Sequence, residues 1–159
     1  LLFSAVYAIS PEFRVGVLNL VVETLDESTD VSFGVGSTDR ETPGALQLEI
    51  GWLPDDCELF DEGETTVNAW KYYNVVGENS GILKIDIIKN DGQLTSWDAD
   101  EVDSIYIEVN GLPGIVARKN AEISLTLVDL EKAITINVWS NVTNLEDIVQ
   151  IAENIGYQW

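Results

Sequence analysis

Carboxylates are the most abundant residues able to do chemistry in this sequence, and one cluster has a spacing suited to a metal ion. Asp98, Asp100 and Asp103 stand at alternating or near-alternating positions, where oxygen ligands can converge on calcium. The cluster lacks the glycine and the distal bidentate glutamate of an EF-hand loop. We therefore predict a solvated turn here, with weak calcium binding as the alternative.

Catalytic chemistry is restricted by two counts. The chain has no histidine and one cysteine, so Ser-His, Cys-His and His-metal mechanisms and Cys/His zinc clusters are excluded. Cys57 lies between Asp56 and Glu58, whose negative charges oppose formation of a thiolate. Nothing in the pattern places two carboxylates together in a desolvated pocket, as glycoside hydrolysis requires. The prediction is a non-catalytic chain with no cofactor.

Aromatic residues are the remaining candidates for a ligand site. Most aromatics in a sheet domain pack in the core or across strands. The alternative is a groove for a peptide, a glycan or a lipid. The aromatics considered for it are Trp52, Trp70, Tyr72, Tyr73, Trp97, Tyr106 and Trp139. Of these, the groove candidates are Trp70, Tyr72, Trp97 and Trp139.

The charge balance limits the partners of the chain. With 28 acidic and 8 basic residues the net charge is −20, which repels phosphate backbones and anionic lipid headgroups within a Debye length. We predict no nucleic-acid partner. The 159 residues are 45% hydrophobic, enough apolar surface for one folded domain.

The N-terminal end has an apolar segment without charge. Residues 1–9 are apolar or small, the first charge is Glu12, and the sequence does not begin with methionine. We interpret the segment as the outer end of a truncated membrane anchor, the only membrane contact expected; a helix packed in the core is the alternative. If it is ordered, its apolar face must be buried, and we expect a homodimer through it.

The chain reads as a helix, then strands, then a helix. Ser10-Pro11-Glu12 is a helix start, and three- and four-residue spacing continues the helix to about Asp26, within an N-terminal region 1–30. The region 31–159 is the main domain. Its predicted strands are 31–35, 46–50, 57–60, 70–76, 83–88, 105–109, 115–118, 125–128 and 134–139.

Turn and cap signals fix some boundaries. Asn110-Gly111 is a two-residue hairpin signature because both residues tolerate positive φ, and Asp91-Gly92 is a second candidate. Thr143 is the predicted N-cap of the last helix, in a capping box with Glu146, and Gly156 is its predicted stop. The fold class is therefore α+β: a curved antiparallel meander with an N-terminal helix and a C-terminal helix packed on the sheet.

Several of these segments resemble a known family. They are Leu53-Pro54-Asp55-Asp56-Cys57-Glu58-Leu59, Val109-Asn110-Gly111-Leu112-Pro113-Gly114, Ile134-Thr135-Ile136 and 144–155. Their order resembles the DUF4367 domain of Gram-positive bacteria, which lies at the extracytoplasmic end of membrane-anchored proteins, some of them anti-sigma factors. The sequence departs from the family pattern at Asp56, where glycine is usual, and at Cys57, where an aromatic is usual.

The resemblance implies an extracytoplasmic, non-catalytic sensor or binding domain of a membrane-anchored regulator, with an unidentified protein or ligand outside the cell as its partner. The family implies no catalytic residues. The alternative function is a secreted or surface carrier that holds an apolar ligand between sheet and helix. That alternative predicts a cavity of several hundred cubic ångströms at the sheet–helix interface.

Overall fold

The structure is a computed structural model, and it describes residues 20–25, 28–33, 44–77, 80–89, 95–97 and 103–159. For 20–25, 28–33, 95–97 and 103 it describes the backbone alone. The apolar segment 1–9, the helix start at Ser10 and the Asp91-Gly92 turn lie outside the described residues. Within the described ranges, no helix has the length and hydropathy needed to cross a membrane.

Twelve strands and one helix make up the described chain. The early strands are β1 (Leu20–Leu25), β2 (Ser28–Phe33), β3 (Gln47–Ile50), β4 (Cys57–Glu64), β5 (Asn68–Val75) and β6 (Gly81–Lys89). The later elements are β7 (Thr95–Trp97), β8 (Asp103–Val109), β9 (Leu112–Lys119), β10 (Glu122–Asp129), β11 (Ile134–Ser140), the helix α1 (Leu145–Glu153) and β12 (Ile155–Gln158). Each predicted strand from 31–35 onward overlaps an observed one.

The main sheet has seven antiparallel strands in the order β4-β5-β6-β11-β10-β9-β8. It consists of two meanders, β4–β6 and β8–β11, joined where β11 pairs with β6. Between the two meanders, the chain forms β7, which does not belong to the main sheet. It pairs with β2 in a separate sheet of order β1-β2-β7. The antiparallel sheet is confirmed, but it is not one continuous meander.

Local turn chemistry explains the second meander. Asn110 and Gly111 have φ of 51° and 80°, the positive values of the type I′ turn that matches strand twist. Pro113 pairs with Glu108 one step from the turn, and pairing with β10 begins only at Gly114. The missing N–H of Pro113 therefore leaves no ladder bond unmade.

Helix α1 differs from the prediction at both ends. Its N-cap is Asn144, whose side chain accepts a hydrogen bond from Asp147 N at 2.9 Å. The Thr143 hydroxyl is instead within 2.8 Å of Ser140 Oγ. The helix ends at Glu153, and Ile155 begins β12, which pairs with β3. Gly156 is thus a strand residue, because the chain pairs with β3 directly after the helix ends.

The core lies between α1 and one face of the seven-stranded sheet. Ile148 and Ile151 of α1 are fully buried, in one cluster with Leu125 and Leu127 of β10. The ribbon formed by β3 and β12 extends the cover, with Leu48 buried in the same cluster. Each such side chain contributes roughly 2 kcal/mol by leaving water.

The class α+β with a C-terminal helix on an antiparallel sheet is confirmed. The predicted N-terminal helix falls mostly outside the described residues. At its C-terminal end, Leu20–Leu25 form strand β1, paired with β2. Val21, Val22 and Thr24 in this stretch are β-branched and favour extended backbone.

Candidate functional site

The face of the seven-stranded sheet opposite α1 carries a row of large side chains. Tyr72 on β5 pairs with Lys84 on β6, and Lys84 pairs with Trp139 on β11. The Lys84 ammonium lies 5.6 Å from the Tyr72 ring centroid and 5.2 Å from that of Trp139. These are cation–π distances, so the Lys84 ammonium interacts with both aromatic rings.

A bulge adds a third ring to this row. The pairing of β4 with β5 shifts between Leu59 and Asp61, which leaves Phe60 as the extra residue. The Phe60 ring centroid lies 6.3 Å from that of Tyr72, in a tilted arrangement. Sequence reasoning missed both Phe60 and Lys84. Two adjacent apolar residues, Leu59-Phe60, interrupt the alternation of a strand, and that signal is typical of a bulge.

Trp70 lies in the neighbouring cross-strand row. It pairs with Gly63, and a Cβ at Gly63 would meet the Trp70 indole. The indole Nε1–H donates to Asp61 Oδ2 at 3.0 Å. Glycine on the edge strand therefore allows the tryptophan to lie across β4, and Asp61 fixes its orientation. We call Phe60, Trp70, Tyr72, Lys84 and Trp139 the aromatic face.

A line of polar side chains runs beside these rings. Asn137 Nδ2 donates to Asp86 Oδ2 at 2.8 Å, and the Thr126 hydroxyl donates to Asn137 Oδ1 at 3.0 Å. Burial raises the pKa of Asp86 above its usual value, while the Asn137 hydrogen bond and the Lys84 charge act in the opposite direction. A carboxyl and an amide thus lie next to the rings and are already held in position.

The structure brings three of the four predicted groove residues together. Trp70, Tyr72 and Trp139 lie on one face, each partly exposed. The fourth, Trp97, belongs to β7 in the three-stranded sheet, where only the backbone is described. Of the other aromatics considered, Tyr73 is buried and Trp52 packs against the core. Tyr106 is exposed on β8, at the far edge of the sheet.

Cys57 has a weakly acidic thiol. Burial raises the pKa of this thiol to about 11, and the charges of Asp56 and Asp147 add to the shift. The direction agrees with the sequence argument, although burial is the larger cause and Asp147 of α1 contributes as well as the chain neighbour. At neutral pH the group is protonated and a poor nucleophile.

The calcium candidate lies largely outside the described residues. Asp98 and Asp100 fall outside the described residues, and only the backbone of Asp103 is described. Among the described side chains, no group of three or more Cys, Asp or Glu residues is arranged to hold a metal ion.

A pocket of about 360 Å³ opens at the outer edge of the sheet. Trp70, Gly63 and Leu48 line it together with the ion pair between Lys71 Nζ and Glu62 Oε2, which is 3.0 Å long. Leu48 belongs to the core cluster and Trp70 to the aromatic face, so the pocket lies at the edge between the two faces of the sheet. Its lining combines apolar and charged groups.

The fold and this surface define an antiparallel α+β domain with one face packed under a helix and with partly exposed aromatic side chains on the β5, β6 and β11 part of the other face. Comparison with protein-family models, with curated proteins and with solved structures finds no match for the chain. Since a fold alone does not define a function, the aromatic face is the feature that bears on function.

Proposed function

We propose that the chain is a non-catalytic binding domain whose ligand surface is the aromatic face. The observation that carries the proposal is the row Phe60, Tyr72, Lys84 and Trp139, with Trp70 beside it. Its place outside the cytoplasm, as part of a membrane-anchored regulator of the anti-sigma type, is proposed from the resemblance to DUF4367 and from the apolar segment 1–9.

The ligand that fits this chemistry best is an uncharged carbohydrate. The C–H faces of sugar rings are attracted to the negative faces of aromatic rings. Tyr72 and Trp139 are two strands apart, which places their attachment points roughly 9.6 Å from each other, a separation suited to successive sugars of an oligosaccharide. Asp86 and Lys84 offer an acceptor and donors for the hydroxyl groups.

Charge supports an uncharged ligand over a polyanion. The chain carries −20 overall, and Asp61 and Asp86 lie within the site itself. A phosphate-rich or carboxylate-rich polymer would be repelled at these separations. A neutral glycan avoids this cost and still uses the hydrogen-bonding groups.

The carrier hypothesis has less support. The helix–sheet interface contains Ile148, Ile151, Leu125 and Leu127, each at most 1% exposed and packed in one cluster. The pocket of about 360 Å³ lies at the β4–β5 edge instead. We therefore do not place an apolar ligand beneath the helix.

Binding is tested by titrating the protein with neutral gluco-, xylo- and manno-oligosaccharides and following tryptophan fluorescence and heat release. We expect Tyr72→Ala to weaken binding about five- to thirtyfold, since it removes one stacking surface worth on the order of 1–2 kcal/mol. Tyr72→Phe keeps the ring and retains most affinity. Trp159→Ala, a partly exposed aromatic beyond β12, is the matched control and leaves affinity unchanged.

Two results would contradict the proposal. One is the absence of binding across the whole neutral panel; the other is binding that Tyr72→Ala and Trp139→Ala both leave intact. The regulatory part has a separate test, which is the gene upstream of Leu1. A membrane span and a cytoplasmic sigma-binding segment are expected there, and a gene without the span overturns the anchored assignment.

A further inference from the structure

We propose that β8 pairs with β8 of a second copy of this chain, so that two seven-stranded sheets join into one continuous antiparallel sheet. Among the described strands, β8 is the last in the sheet order and is bonded to β9 on one side. Ile105 and Tyr106 near its middle are 39% and 42% exposed. An unpaired edge with exposed apolar residues is a template for another strand.

The two edge strands of the sheet, β4 and β8, differ in whether they can accept an added strand. The β4 edge carries a bulge and four carboxylates, Glu58, Asp61, Glu62 and Glu64, which are features that block an added strand. The register of β8 with β9 is continuous over all seven residues. From Ser104 to Val109 the one charged residue of β8 is Glu108. Within the described part of the chain, the β8 edge is therefore the open one.

The hairpin geometry shows which backbone groups of β8 point outward. Val109 and Leu112 flank a two-residue turn and form a hydrogen-bonded pair. Hydrogen-bonded pairs alternate along the ladder, so Ile107 and Ile105 also bond towards β9. The N–H and C=O groups of Ser104, Tyr106 and Glu108 consequently face away from the sheet.

A second copy satisfies these groups in one register. A two-fold axis at Tyr106 places Tyr106 opposite its own copy and Ser104 opposite Glu108 in hydrogen-bonded pairs, with Ile105 opposite Ile107 between them. No like charges face each other among these pairs, and the apolar residues meet apolar ones. This self-complementarity selects a second copy as the occupant. Both aromatic faces then lie on the same side of the joined sheet.

The overall charge makes this dimer weak and salt-dependent. Each copy brings −20, and the register contains no ion pair across the axis. Salt screens the repulsion between copies, so dimer formation should increase with ionic strength. An association held by ion pairs would show the opposite dependence.

Charge substitutions at the paired positions test the register directly. Within one copy Ser104 faces Ala117 and Glu108 faces Pro113, so the substitutions create no charged cross-strand pair inside the monomer. Ser104→Glu places two carboxylates opposite each other at two symmetric sites and should weaken the dimer about two- to thirtyfold. Adding Glu108→Lys to this variant restores attraction, and Ser104→Lys alone tightens the dimer.

Sedimentation velocity over a range of protein concentration, at 0.05 M and about 0.5 M salt, measures each dissociation constant, and circular dichroism checks that each variant folds. Loss in Ser104→Glu with recovery in the double variant supports the proposal. A monomer at every concentration overturns it. The proposal is also overturned if the charge substitutions leave the dissociation constant unchanged while removal of residues 1–10 abolishes the dimer. The N-terminal segment would then form the dimer interface. Glycan binding is measured separately on the monomer, so either proposal can fail without the other.

Discussion

At the scale of single residues, Asp129 has the densest set of hydrogen bonds among the described carboxylates. Its Oδ1 accepts from Glu131 N and Lys132 N, both at 3.0 Å, and its Oδ2 accepts from the Tyr157 hydroxyl at 2.6 Å. The Lys132 ammonium lies 4.6 Å from the Tyr157 ring centroid. One buried side chain thus orders the β10–β11 turn and ties β12 to it.

Replacing Asp129 should lower the free energy of unfolding. The loss has two parts, one from the hydrogen bonds of the turn and one from the hydrogen bond of Tyr157. Asp129→Ala leaves three donors without their acceptor, and we expect the free energy of unfolding to fall by about 2–3 kcal/mol. Tyr157→Phe removes one bond and should cost about 1 kcal/mol. Urea unfolding measures both. Equal losses in the two variants would show that the turn bonds contribute nothing.

Cys57 predicts a pH dependence with a defined sign. Its thiol has a pKa of about 11 in the folded protein against 9.0 for the free group, chiefly because of burial. The folded state therefore holds the proton more tightly, and the stability it contributes is present below pH 9 and lost as pH rises through about 11. Partial exposure of the thiol reduces the size of this effect.

The rate of alkylation by iodoacetamide reports this pKa directly. We expect the rate in the native protein to rise with a midpoint near pH 11, and in the urea-unfolded chain near pH 9. Cys57→Ser should lose stability less steeply than the wild type over that interval. Identical midpoints in the folded and unfolded chains would contradict the assigned burial effect.

At the scale of elements, the most consequential glycine of the second meander lies inside a strand. A Cβ at Gly114 would meet the Thr126 carbonyl oxygen and the Leu127 side chain of the neighbouring strand. Gly111, in the turn, has φ of 80° and open space around its Cβ position. Close approach of backbone therefore constrains Gly114, and conformation alone constrains Gly111.

These two constraints predict different responses to substitution. Gly114→Ala should lower the free energy of unfolding by about 2–3 kcal/mol, because β10 must shift to admit the methyl group. Gly111→Asn should cost no more than about 0.5 kcal/mol, since asparagine tolerates positive φ. Thermal and urea unfolding compare the two, and a larger loss at Gly111 would mean that the turn is the tighter constraint.

The sequence predicts which segments form strands better than it predicts which strands pair with each other. Alternation locates β5 and β6, and the Asn110-Gly111 turn is readable because its chemistry is local. The ring–lysine–ring contact of Tyr72, Lys84 and Trp139 depends on the register of three strands, one of which comes from the other meander. Strand β12 depends on β3, far away in sequence. Such pairings are set by packing of the whole chain, and no short window contains them.

At the scale of the whole molecule, the excess of acidic residues lowers the stability of the folded state. With 28 acidic and 8 basic residues, most carboxylates have no cationic partner available, and their mutual repulsion favours the expanded chain. Carboxylates crowd the β4 edge in particular, where Lys71 pairs with Glu62 while Glu58, Asp61 and Glu64 lie nearby on the same strand.

This repulsion predicts that salt stabilises the folded protein. Raising ionic strength from about 0.01 M to about 0.15 M shortens the Debye length from about 30 Å to about 8 Å, so repulsion between distant carboxylates is screened. We expect the melting temperature to rise by several degrees over this interval, corresponding to roughly 1 kcal/mol. Sodium chloride and tetramethylammonium chloride should act alike, because screening depends on charge and not on a specific site. A melting temperature that is flat with salt, or that rises with one cation alone, would show that specific contacts and not long-range repulsion set the response.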